Sequence, residues 1–532
     1  MEILNGVRQA STGAEVSKQN APGSRWTTGP AIVLSIATAV LLLQLATANR
    51  YGYFGDEMYH MACGEHLAWG YVDQPPLIAL FAWLTRHLFG TSVFAIRLFP
   101  AFASFVLVWL TGLLARELGG GRFAQGLAAL CSACAGVYLI LGHLFTMNIF
   151  EPLLWMGCAY FVIRIVKTGN QKLWLWFGLL AGIGLENKYS MAVFGVAIVV
   201  GLLFTPERKA FANRWIWIAG AIAFLIFVPN LLWNIQHHFP FLELMRNIRA
   251  SGRDTVFTPL GYLKAQVFLL TPVTLPVWLP GGLYFFFWKT GKPFRVLGWA
   301  FVTVLAVFVV THGKDYYASP VFPVVFAGGA IVWEQLAARK KLGWLKEALV
   351  TLIVVGTALL LPLFSPVLSP EAFLRYQAAL PFNIQPDEKS MLAEPMPHYY
   401  SDCFGWKEMV EAVAKAYAMV PPEQRADTAI FANDFAVAGA IDIIGPKYRL
   451  PKAISGHQSY WLWGPRNYTG QTVIVLGSTP EREAQFFQEV TVIAELHNPY
   501  APPWENRPVL LCRGPKNFKS VQEVWPKVKH WD

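Results

Sequence analysis

Charged residues are scarce in this sequence of 532 residues. Asp, Glu, Lys and Arg make up only 14% of it, against about 25% in an ordinary soluble domain. Hydrophobic residues make up 55%, and this balance excludes a single large soluble enzyme, a disordered protein and a coiled coil. The apolar excess occupies residues 30–365, whereas residues 370–532 have an ordinary globular composition. We therefore predict an α-helical polytopic membrane part followed by one soluble domain.

Cysteine is also scarce, and six Cys residues in the whole chain are too few for a disulfide scaffold. Cys131 and Cys134 form a CxxC inside an apolar run, which indicates helix packing rather than redox or metal chemistry. Cys403 and Cys512 fall in the soluble part, and the sequence leaves open whether they pair. The net charge of +10 comes from short basic clusters between apolar runs. This pattern is typical of membrane topology and predicts no nucleic-acid partner.

Eleven apolar runs are candidates for crossing a membrane, since a span takes about 20 residues and fewer where the helix packs inside protein. They occupy residues 30–48, 92–115, 123–141, 148–166, 173–187, 189–204, 215–235, 265–288, 296–311, 318–337 and 347–364. The first run ends in Ala-Thr-Ala, which resembles a signal-peptidase site. We interpret it as a retained helix because the run and its leader are long for a signal peptide.

Basic residues between the runs predict the orientation. If all eleven runs cross, the clusters fall on one side of the membrane, around residues 8–25, 116–122, 164–172, 208–214, 289–295 and 339–346. The positive-inside rule makes that side cytoplasmic. We therefore predict a cytoplasmic tail at residues 1–29, a transmembrane domain at 30–365 and a periplasmic domain at 366–532, in the inner membrane of a bacterium.

The soluble part alternates short strand and helix patterns. The predicted strands are 428–431, 472–476, 491–495 and 509–512, and the predicted helices are 405–419 and 480–489. Such alternation indicates a small α/β domain.

The first outward loop, residues 49–91, contains two amphipathic stretches at 57–69 and 76–89, which we expect to lie in the membrane interface. Asp56 and Glu57 stand at the start of the first stretch. Adjacent acids there either cap the helix or take part in catalysis, with Asp56 the better base and Glu57 its support.

Other outward segments carry further ionisable groups. Placing such groups near a membrane costs free energy, so each of them calls for a structural or functional explanation. Glu151 precedes Pro152 at the outer end of the fourth run and is either a helix-terminal acid or functional. Lys188 at a hairpin tip either snorkels or holds an anion. A later loop, residues 236–264, contains His237, His238, Arg246, Arg249, Arg253 and Lys264.

The arginines of that later loop recur at three- and four-residue spacing, so on a helix they share one face. This face suits a phosphate headgroup, or it is simply solvated. The histidine pair lacks a third ligand at a fixed spacing, so we predict no metal site. Lys314 and Tyr317, in the loop at 312–317, add a cation and an aromatic ring to the same side.

Carboxylates and cations on one side of one membrane fit transfer from a lipid phosphate. A sugar linked through C1 to phosphate needs only cations to stabilise the departing group, and the acceptor hydroxyl needs a base. A single displacement of this kind inverts the anomeric centre. A transporter or flippase of lipid-linked saccharides is the alternative, and it should contain repeats and helices interrupted near the midplane.

The sequence resembles the bacterial glycosyltransferase family 39 group of the GT-C superfold, relatives of protein O-mannosyltransferases and of the lipid A aminoarabinose transferase. The motifs that carry the resemblance are Tyr-Phe-Gly-Asp-Glu-Met-Tyr at 53–59, Gln-Pro-Pro-Leu at 74–77, Phe-Gly-Thr-Ser at 89–92, Arg-Leu-Phe-Pro at 97–100, Gly-Leu-Glu-Asn-Lys-Tyr at 184–189 and Tyr-Tyr-Ala-Ser-Pro at 316–320. The resemblance implies an integral membrane transferase with a polyprenyl-phosphate sugar donor, consistent with the eleven predicted helices. The acceptor, a hydroxyl of a lipid, glycan or protein, stays open.

The resemblance also implies roles for particular residues. Asp56 would be the acidic catalytic residue of the first loop, acting as the base, and Glu151 stands where the family usually has Asp before proline. Lys188 would lie near the donor phosphate, with Lys314 and Tyr317 in a loop that closes the cavity. The candidate catalytic residues are Asp56, Glu57 and Glu151; the donor-phosphate candidates are Lys188, Arg246, Arg249, Lys314 and Tyr317; the acceptor or sugar candidates are Tyr59, His237 and His238. No cofactor is predicted, and a role for a divalent cation stays open.

Overall fold

A computed structural model describes residues 23–251, 257–339, 342–382 and 389–531. Arg253, Lys340, Lys341 and most of the predicted cytoplasmic tail therefore lie outside the described residues. The described chain is helical up to residue 382 and ends in a domain with one five-stranded sheet. The predicted class, a polytopic α-helical protein with a small C-terminal α/β domain, is confirmed.

The described residues of the membrane part form seventeen α-helices. They are α1 (Gly23–Thr47), α2 (Gly55–Glu65), α3 (Leu77–Leu88), α4 (Val93–Ile96), α5 (Leu98–Glu117), α6 (Arg122–Cys134), α7 (Gly136–His143), α8 (Phe150–Thr168), α9 (Trp174–Asn187), α10 (Met191–Leu203), α11 (Arg214–Gln236), α12 (Pro240–Ala250), α13 (Pro259–Leu269), α14 (Leu275–Phe287), α15 (Arg295–Val310), α16 (Phe322–Ala337) and α17 (Leu345–Phe364).

Every one of the eleven predicted runs is largely helical. Among the described residues, six helices are long and apolar enough to cross a membrane, or nine if each of three bent pairs is one span. The two remaining runs correspond to α8, which carries Glu151, Arg164 and Lys167, and to α9, which has only 14 residues. Length and composition therefore support a multi-pass protein with fewer clear spans than the eleven runs predict.

The break between α6 and α7 has a specific polar partner. The two helices meet at 59°, which frees backbone groups that apolar surroundings cannot satisfy. The Thr271 hydroxyl donates to the Cys134 carbonyl at 2.7 Å and accepts from the Gly136 amide at 2.9 Å. One side chain from the segment before α14 thus satisfies both freed groups.

The two helices of the first outward loop differ from each other. Helix α3 is amphipathic, with Ile78 and Ala82 buried while Leu80 and Trp83 are exposed, as expected of an interfacial helix. Helix α2 has nine of its 11 residues buried, because it packs beneath the C-terminal domain. That the stretch at 57–69 lies in the membrane interface stays a prediction, and the structure adds that α2 is covered by the C-terminal domain.

The C-terminal domain contains eight further α-helices and five strands among its described residues. The helices are α18 (Pro370–Ala378), α19 (His398–Ser401), α20 (Trp406–Ala418), α21 (Pro422–Arg425), α22 (Phe435–Ile444), α23 (Gln458–Trp463), α24 (Pro480–Glu483) and α25 (Val521–Val528). The strands are β1 (Ala429–Ala432), β2 (Ile454–Ser455), β3 (Thr472–Leu476), β4 (Phe487–Glu495) and β5 (Pro508–Pro515).

The sheet has the strand order β2-β1-β3-β5-β4. β1 pairs in parallel with β2 and β3, and β5 pairs antiparallel with β3 and β4. The four predicted strands are present, but the predicted helix at 480–489 is only α24, because Phe487 already pairs with Pro515 in the sheet. Cys403 and Cys512 are both free, buried thiols.

One hydrophobic core joins α2 to the C-terminal domain. Met58 and Ala62 of α2 share it with Val437 and Ile441 of α22 and with Val413 of α20. Because this packing is continuous across the boundary between the two parts, the domain holds α2 and the residues at its N-terminus in place.

Candidate active site

Glu57 lies in the most completely satisfied ion pair of the site. The Arg97 guanidinium donates to both of its carboxylate oxygens at 2.9 Å, and both side chains are at most 1% exposed. The backbone amides of Phe54 and Phe145 donate to the same carboxylate at 2.9 and 2.8 Å. These contacts leave Glu57 no free oxygen for substrate, so they favour a structural role over the predicted catalytic one.

Asp56, the neighbouring residue, has a different environment. Its carboxylate is half-buried and has no hydrogen-bond or ion-pair partner within the described ranges. It lines a cavity of about 370 Å³ between α2 and the C-terminal domain. Adjacent positions on a helix point in different directions, which is why Glu57 turns inward to Arg97 while Asp56 opens into this space.

Asp402 of the C-terminal domain caps the helix that carries Asp56. Its Oδ2 accepts from the Gly55 amide, the first residue of α2, at 2.7 Å. A Cβ at Gly55 would lie 2.7 Å from that oxygen and 2.8 Å from the Ala436 Cβ. The position therefore needs glycine because the carboxylate and α22 approach the backbone so closely.

The carboxyl groups of this cavity have separated pKa values. Burial raises the pKa of Asp402 to about 8, against the opposing charge of His398. Burial raises the pKa of Glu505 well above its usual range. Burial alone would raise the pKa of Asp434, but the hydrogen bond and charge of His457 outweigh burial and lower that pKa. Environments that separate the pKa values of neighbouring acids are typical of functional sites.

A second cluster surrounds Lys188 at the end of α9. Its ammonium donates to Asn148 Oδ1 at 2.8 Å and lies 3.3 Å from Glu151 Oε2. The same nitrogen is 4.3 Å from the centre of the Tyr317 ring and 5.2 Å from that of Tyr316. Three of the predicted residues, Glu151, Lys188 and Tyr317, are thus brought together.

Glu151 is a direct partner of Lys188, and Lys314 lies next to the helix that carries Tyr317. Glu151 is 3% exposed and accepts a hydrogen bond from the Ser190 hydroxyl, so its charge is held beside Lys188 rather than presented to solvent. Lys314 precedes the 3₁₀ helix Asp315–Val321, which also carries Tyr317. Its carbonyl accepts from the Tyr262 hydroxyl at 3.3 Å.

A short buried segment links Asp56 to the Lys188 cluster. The Phe145 backbone amide donates to the Glu57 carboxylate, and the Phe145 carbonyl contacts the His60 ring; both residues belong to α2. Three residues later, the Asn148 side chain accepts from Lys188. Three residues of extended chain span at most about 11 Å, so the two clusters are neighbours on the same side of the molecule.

Asp73 is a residue that the sequence analysis missed. It is half-buried and accepts from the Tyr59 hydroxyl at 2.8 Å. Burial raises its pKa, and the charge of Asp56 raises it further while His60 opposes both. The signal available in the sequence was an acid directly before the Gln-Pro-Pro-Leu motif.

The remaining predicted residues do not join either cluster. Tyr59 is fully buried and its hydroxyl contacts Asp73 and, at 2.8 Å, Ser459, so it fastens α2 to the C-terminal domain. His237 stacks on Trp233 with ring centres 4.1 Å apart, and the adjacent His238 has a φ of 59°.

Arg246 and Arg249 are exposed on α12. The opposite side of α12 packs Leu244 against Trp531 near the C-terminus, and this contact directs both arginines to solvent. Among the residues that the structure describes, no group of three or more His, Cys, Asp or Glu side chains is arranged to hold a metal ion.

The fold and the two clusters place this protein among those with the GT-C fold, and the resemblance to GT-C glycosyltransferases is confirmed. The family described as dolichyl-phosphate-mannose-protein mannosyltransferase matches residues 73–233, a stretch that contains Glu151 and Lys188. The crystal structure of ArnT from Cupriavidus metallidurans bound to undecaprenyl phosphate has a TM-score of 0.59 at 13% identity and covers 91% of this chain and 99% of its own. The apo form gives 0.58 at 14% identity, over 93% and 100%.

The curated relatives match a smaller share of this chain than the ArnT structures do. Undecaprenyl phosphate-alpha-4-amino-4-deoxy-L-arabinose arabinosyl transferase 1 of Pseudomonas fluorescens is 23% identical over 59% of this chain and 59% of its own length. Lipopolysaccharide core galacturonosyltransferase RgtB of Rhizobium johnstonii is 23% identical over 61% and 60%. Lipid A galacturonosyltransferase RgtD of the same organism is 27% identical over 35% and 39%. The match thus spans about three fifths of the first two relatives.

Proposed function

We propose that this protein is an inverting glycosyltransferase of the bacterial inner membrane. It moves a sugar from a polyprenyl-phosphate donor to a hydroxyl group of a lipid, glycan or protein acceptor on the periplasmic side. Asp56 is the general base. The observation that carries the proposal is the contrast among the three predicted acids: Glu57 and Glu151 are held in buried ion pairs, whereas Asp56 opens unpaired into a cavity.

The proposed step is a single displacement at the anomeric carbon. Asp56 takes the proton of the acceptor hydroxyl as its oxygen attacks C1. The bond from C1 to the phosphate oxygen breaks, and the phosphate leaves with the bonding electrons. Because the attack and the departure occur on opposite faces of the sugar, the anomeric configuration inverts, and no covalent enzyme intermediate is needed.

Lys188 stabilises the departing phosphate in this proposal. A cation in a site with little water stabilises developing negative charge far more than it does in bulk solvent. The rings of Tyr316 and Tyr317 hold the ammonium by cation–π contact. Glu151 balances the charge of Lys188 when no donor is bound and sets its position, so we assign Glu151 a positioning role.

The donor and acceptor classes rest on the relatives. The printed names of those relatives include an undecaprenyl-phosphate sugar, the lipopolysaccharide core and lipid A. These support a polyprenyl-phosphate sugar as donor and an envelope lipid or glycan as acceptor. The orientation rests on the basic clusters of the predicted cytoplasmic loops.

The test is transfer by the purified full-length protein. It is incubated with a panel of undecaprenyl-phosphate sugars and an envelope lipid extract, and the products are analysed by mass spectrometry and by NMR of the anomeric proton. We expect a glycosylated lipid of inverted configuration, with activity retained in EDTA because no step of the proposed displacement uses a metal ion. A product of retained configuration would contradict the single displacement.

A transporter or flippase of lipid-linked saccharides is the second candidate. One observation favours it: three helix pairs are bent by 59°, 111° and 91° at short breaks, and interrupted helices are common in transporters. Reconstitution in liposomes separates the two functions. Translocation of a labelled lipid-linked sugar without a glycosylated product would support the flippase.

A further inference from the structure

The two faces of the sheet in the C-terminal domain are covered differently. Successive side chains of a strand point to opposite faces, and Ile474 and Leu476 of β3 belong to the core that the sheet forms with α20 and α22. Val473 and Val475 point to the other face, where they pack with Trp525 of α25. The helix on this second face has eight residues, whereas α20 and α22 have 13 and 10.

A cavity of about 470 Å³ lies between α25 and this second face of the sheet. Protein interiors contain few voids larger than a water molecule, and this volume lies instead within the range of small-molecule sites. The cavity is distinct from the one beside Asp56, with which it shares only Asn433 among its lining residues. It is therefore a candidate site of its own.

This second cavity lies at the carboxyl ends of the parallel strands. Asn433 directly follows β1, Ser478 lies two residues after β3, and both line the cavity. Because β2 lies on one side of β1 and β3 on the other, the strand order reverses at β1. Ligands of open α/β sheets bind outside the carboxyl ends of the strands at such a reversal.

Most of the wall of the second cavity is apolar. The sheet contributes Phe431 and Val475, and α25 contributes Val524 and Trp525. The Trp525 indole nitrogen already donates to the Trp461 carbonyl at 3.0 Å. A sugar or a nucleobase would lose its hydrogen bonds to water against this wall without replacement, whereas a hydrocarbon chain loses none. The wall therefore favours a hydrocarbon chain.

The charged residues of the same wall are mostly basic. They comprise one carboxylate, Glu483, and three cations, Arg482, Lys527 and Lys529. The Glu483 carboxylate already accepts from the Ser478 hydroxyl at 2.5 Å. The Lys529 ammonium lies 2.8 Å from the Glu243 carboxylate of α12, which balances its charge. Two cations therefore remain for a ligand.

Those two cations, Arg482 and Lys527, are exposed. Within the part of the chain that the structure describes, neither side chain forms an ion pair. An anionic head group beside them would gain charge-assisted hydrogen bonds while its chain fills the apolar interior. This complementarity selects an amphiphile whose head group is negative.

We propose that the second cavity is a binding site for a single-chain amphiphile with an anionic head group. The chain lies between β3 and α25, and the head group lies beside Arg482 and Lys527. One chain is proposed because the volume is that of a small-molecule site rather than that of a two-chain phospholipid. The inference goes beyond the transferase function and does not rest on it.

The test is photo-crosslinking of the full-length protein in phosphatidylcholine nanodiscs. The probe is hexadecyl phosphate with a diazirine in its chain, and the labelled peptides are identified by mass spectrometry. We expect saturable labelling of peptides that contain β3 or α25, with competition by unlabelled hexadecyl phosphate. Hexadecanol has the same chain without the charge, so it should compete only at a concentration higher by roughly fivefold or more.

Variants of the wall locate the site. Val524→Trp fills the cavity from α25 and should abolish labelling of these peptides. The double variant Arg482→Glu with Lys527→Glu should raise the half-saturating probe concentration by roughly fivefold or more. The control Lys519→Glu alters an exposed lysine that precedes α25 and does not line the cavity, and it should leave that concentration unchanged. If thermal unfolding shows that Val524→Trp is not folded, the charge variant and its control decide.

Four results would overturn the inference. They are native labelling that is not saturable or spares β3 and α25, equal competition by hexadecanol and hexadecyl phosphate, native labelling in the charge variant, and loss of labelling when phosphatidylglycerol is added to the nanodiscs. The last would assign the cavity to a two-chain lipid. Because no sugar transfer is measured, these results are independent of whether the proposed transferase function holds.

Discussion

The Glu57–Arg97 pair is fully buried and the Glu151–Lys188 pair is only partly so, and the two pairs are built differently. The Glu57 carboxylate receives a two-point contact from a guanidinium and two backbone amides, and Arg97 also donates to the carbonyls of Ala48 and Gly52. Lys188 has one ammonium shared among a carboxylate, an amide oxygen and two rings. The first pair is a fixed part of the scaffold, whereas the second holds a cation whose partners can be exchanged for a phosphate.

The largest expected effect comes from breaking the scaffold pair. Arg97→Ala leaves the Glu57 charge buried and unpaired, which should cost about 3–5 kcal/mol of stability. We expect a large fall in Tm, measured by thermal unfolding, or loss of folded protein, measured by size-exclusion chromatography. Arg164→Ala is the control, because the ion pair with Glu117 is partly exposed and should contribute no more than about 1 kcal/mol. Similar Tm values for the two variants would contradict the distinction.

Lys188→Ala should weaken use of the donor, and it also leaves the buried Glu151 carboxylate without its cation. A charged hydrogen bond contributes about 1.5–3 kcal/mol, so kcat/KM for the donor should fall roughly 10- to 100-fold while the acceptor KM is nearly unchanged. The double variant Lys188→Ala with Glu151→Gln removes the orphaned carboxylate. It should recover the stability lost in the single variant but not the donor affinity; recovery of both would make Lys188 purely structural.

Gly55→Ala tests the close contact between α2 and the C-terminal domain. The new Cβ would lie against Asp402 and Ala436, and such overpacking costs about 1–3 kcal/mol. Because α2 would have to shift, the turnover number should fall with stability. Gly195→Ala in α10 has open space around its Cβ and should leave stability unchanged or raise it by up to about 1 kcal/mol. Equal effects of the two substitutions would refute the close approach.

The last of these predictions concerns the pH dependence of stability. The pKa of Asp402 is raised to about 8 in the folded chain by burial, so between its ordinary acidic range and pH 8 the folded state binds more protons than the unfolded state. The contribution of this group therefore falls as pH rises through that window. Asp402→Asn should flatten the decline of Tm between pH 5 and pH 8, as checked by thermal unfolding. An unchanged slope would contradict the assignment.

Much of the fold follows from the sequence, and parts of the site do not. The apolar runs predict the helices because spans must satisfy their own backbone, and Glu151, Lys188 and Tyr317 meet because each lies where a predicted run begins or ends. The burial of α2 under the C-terminal domain depends on contacts between residues some 380 apart, such as Met58 and Gly439, which local periodicity does not encode. Asp402 was not predicted for the same reason, whereas Asp73 contacts Tyr59 within the same loop and carried a local signal that the prediction did not use.

The most direct test of the account concerns Asp56. Single-turnover transfer is measured for the native chain and for Asp56→Asn, with donor binding measured in parallel. Because loss of a general base costs about 10²- to 10⁴-fold in rate, we predict a fall of that size with donor affinity and Tm retained. Transfer by Asp56→Asn at the native rate would contradict the account.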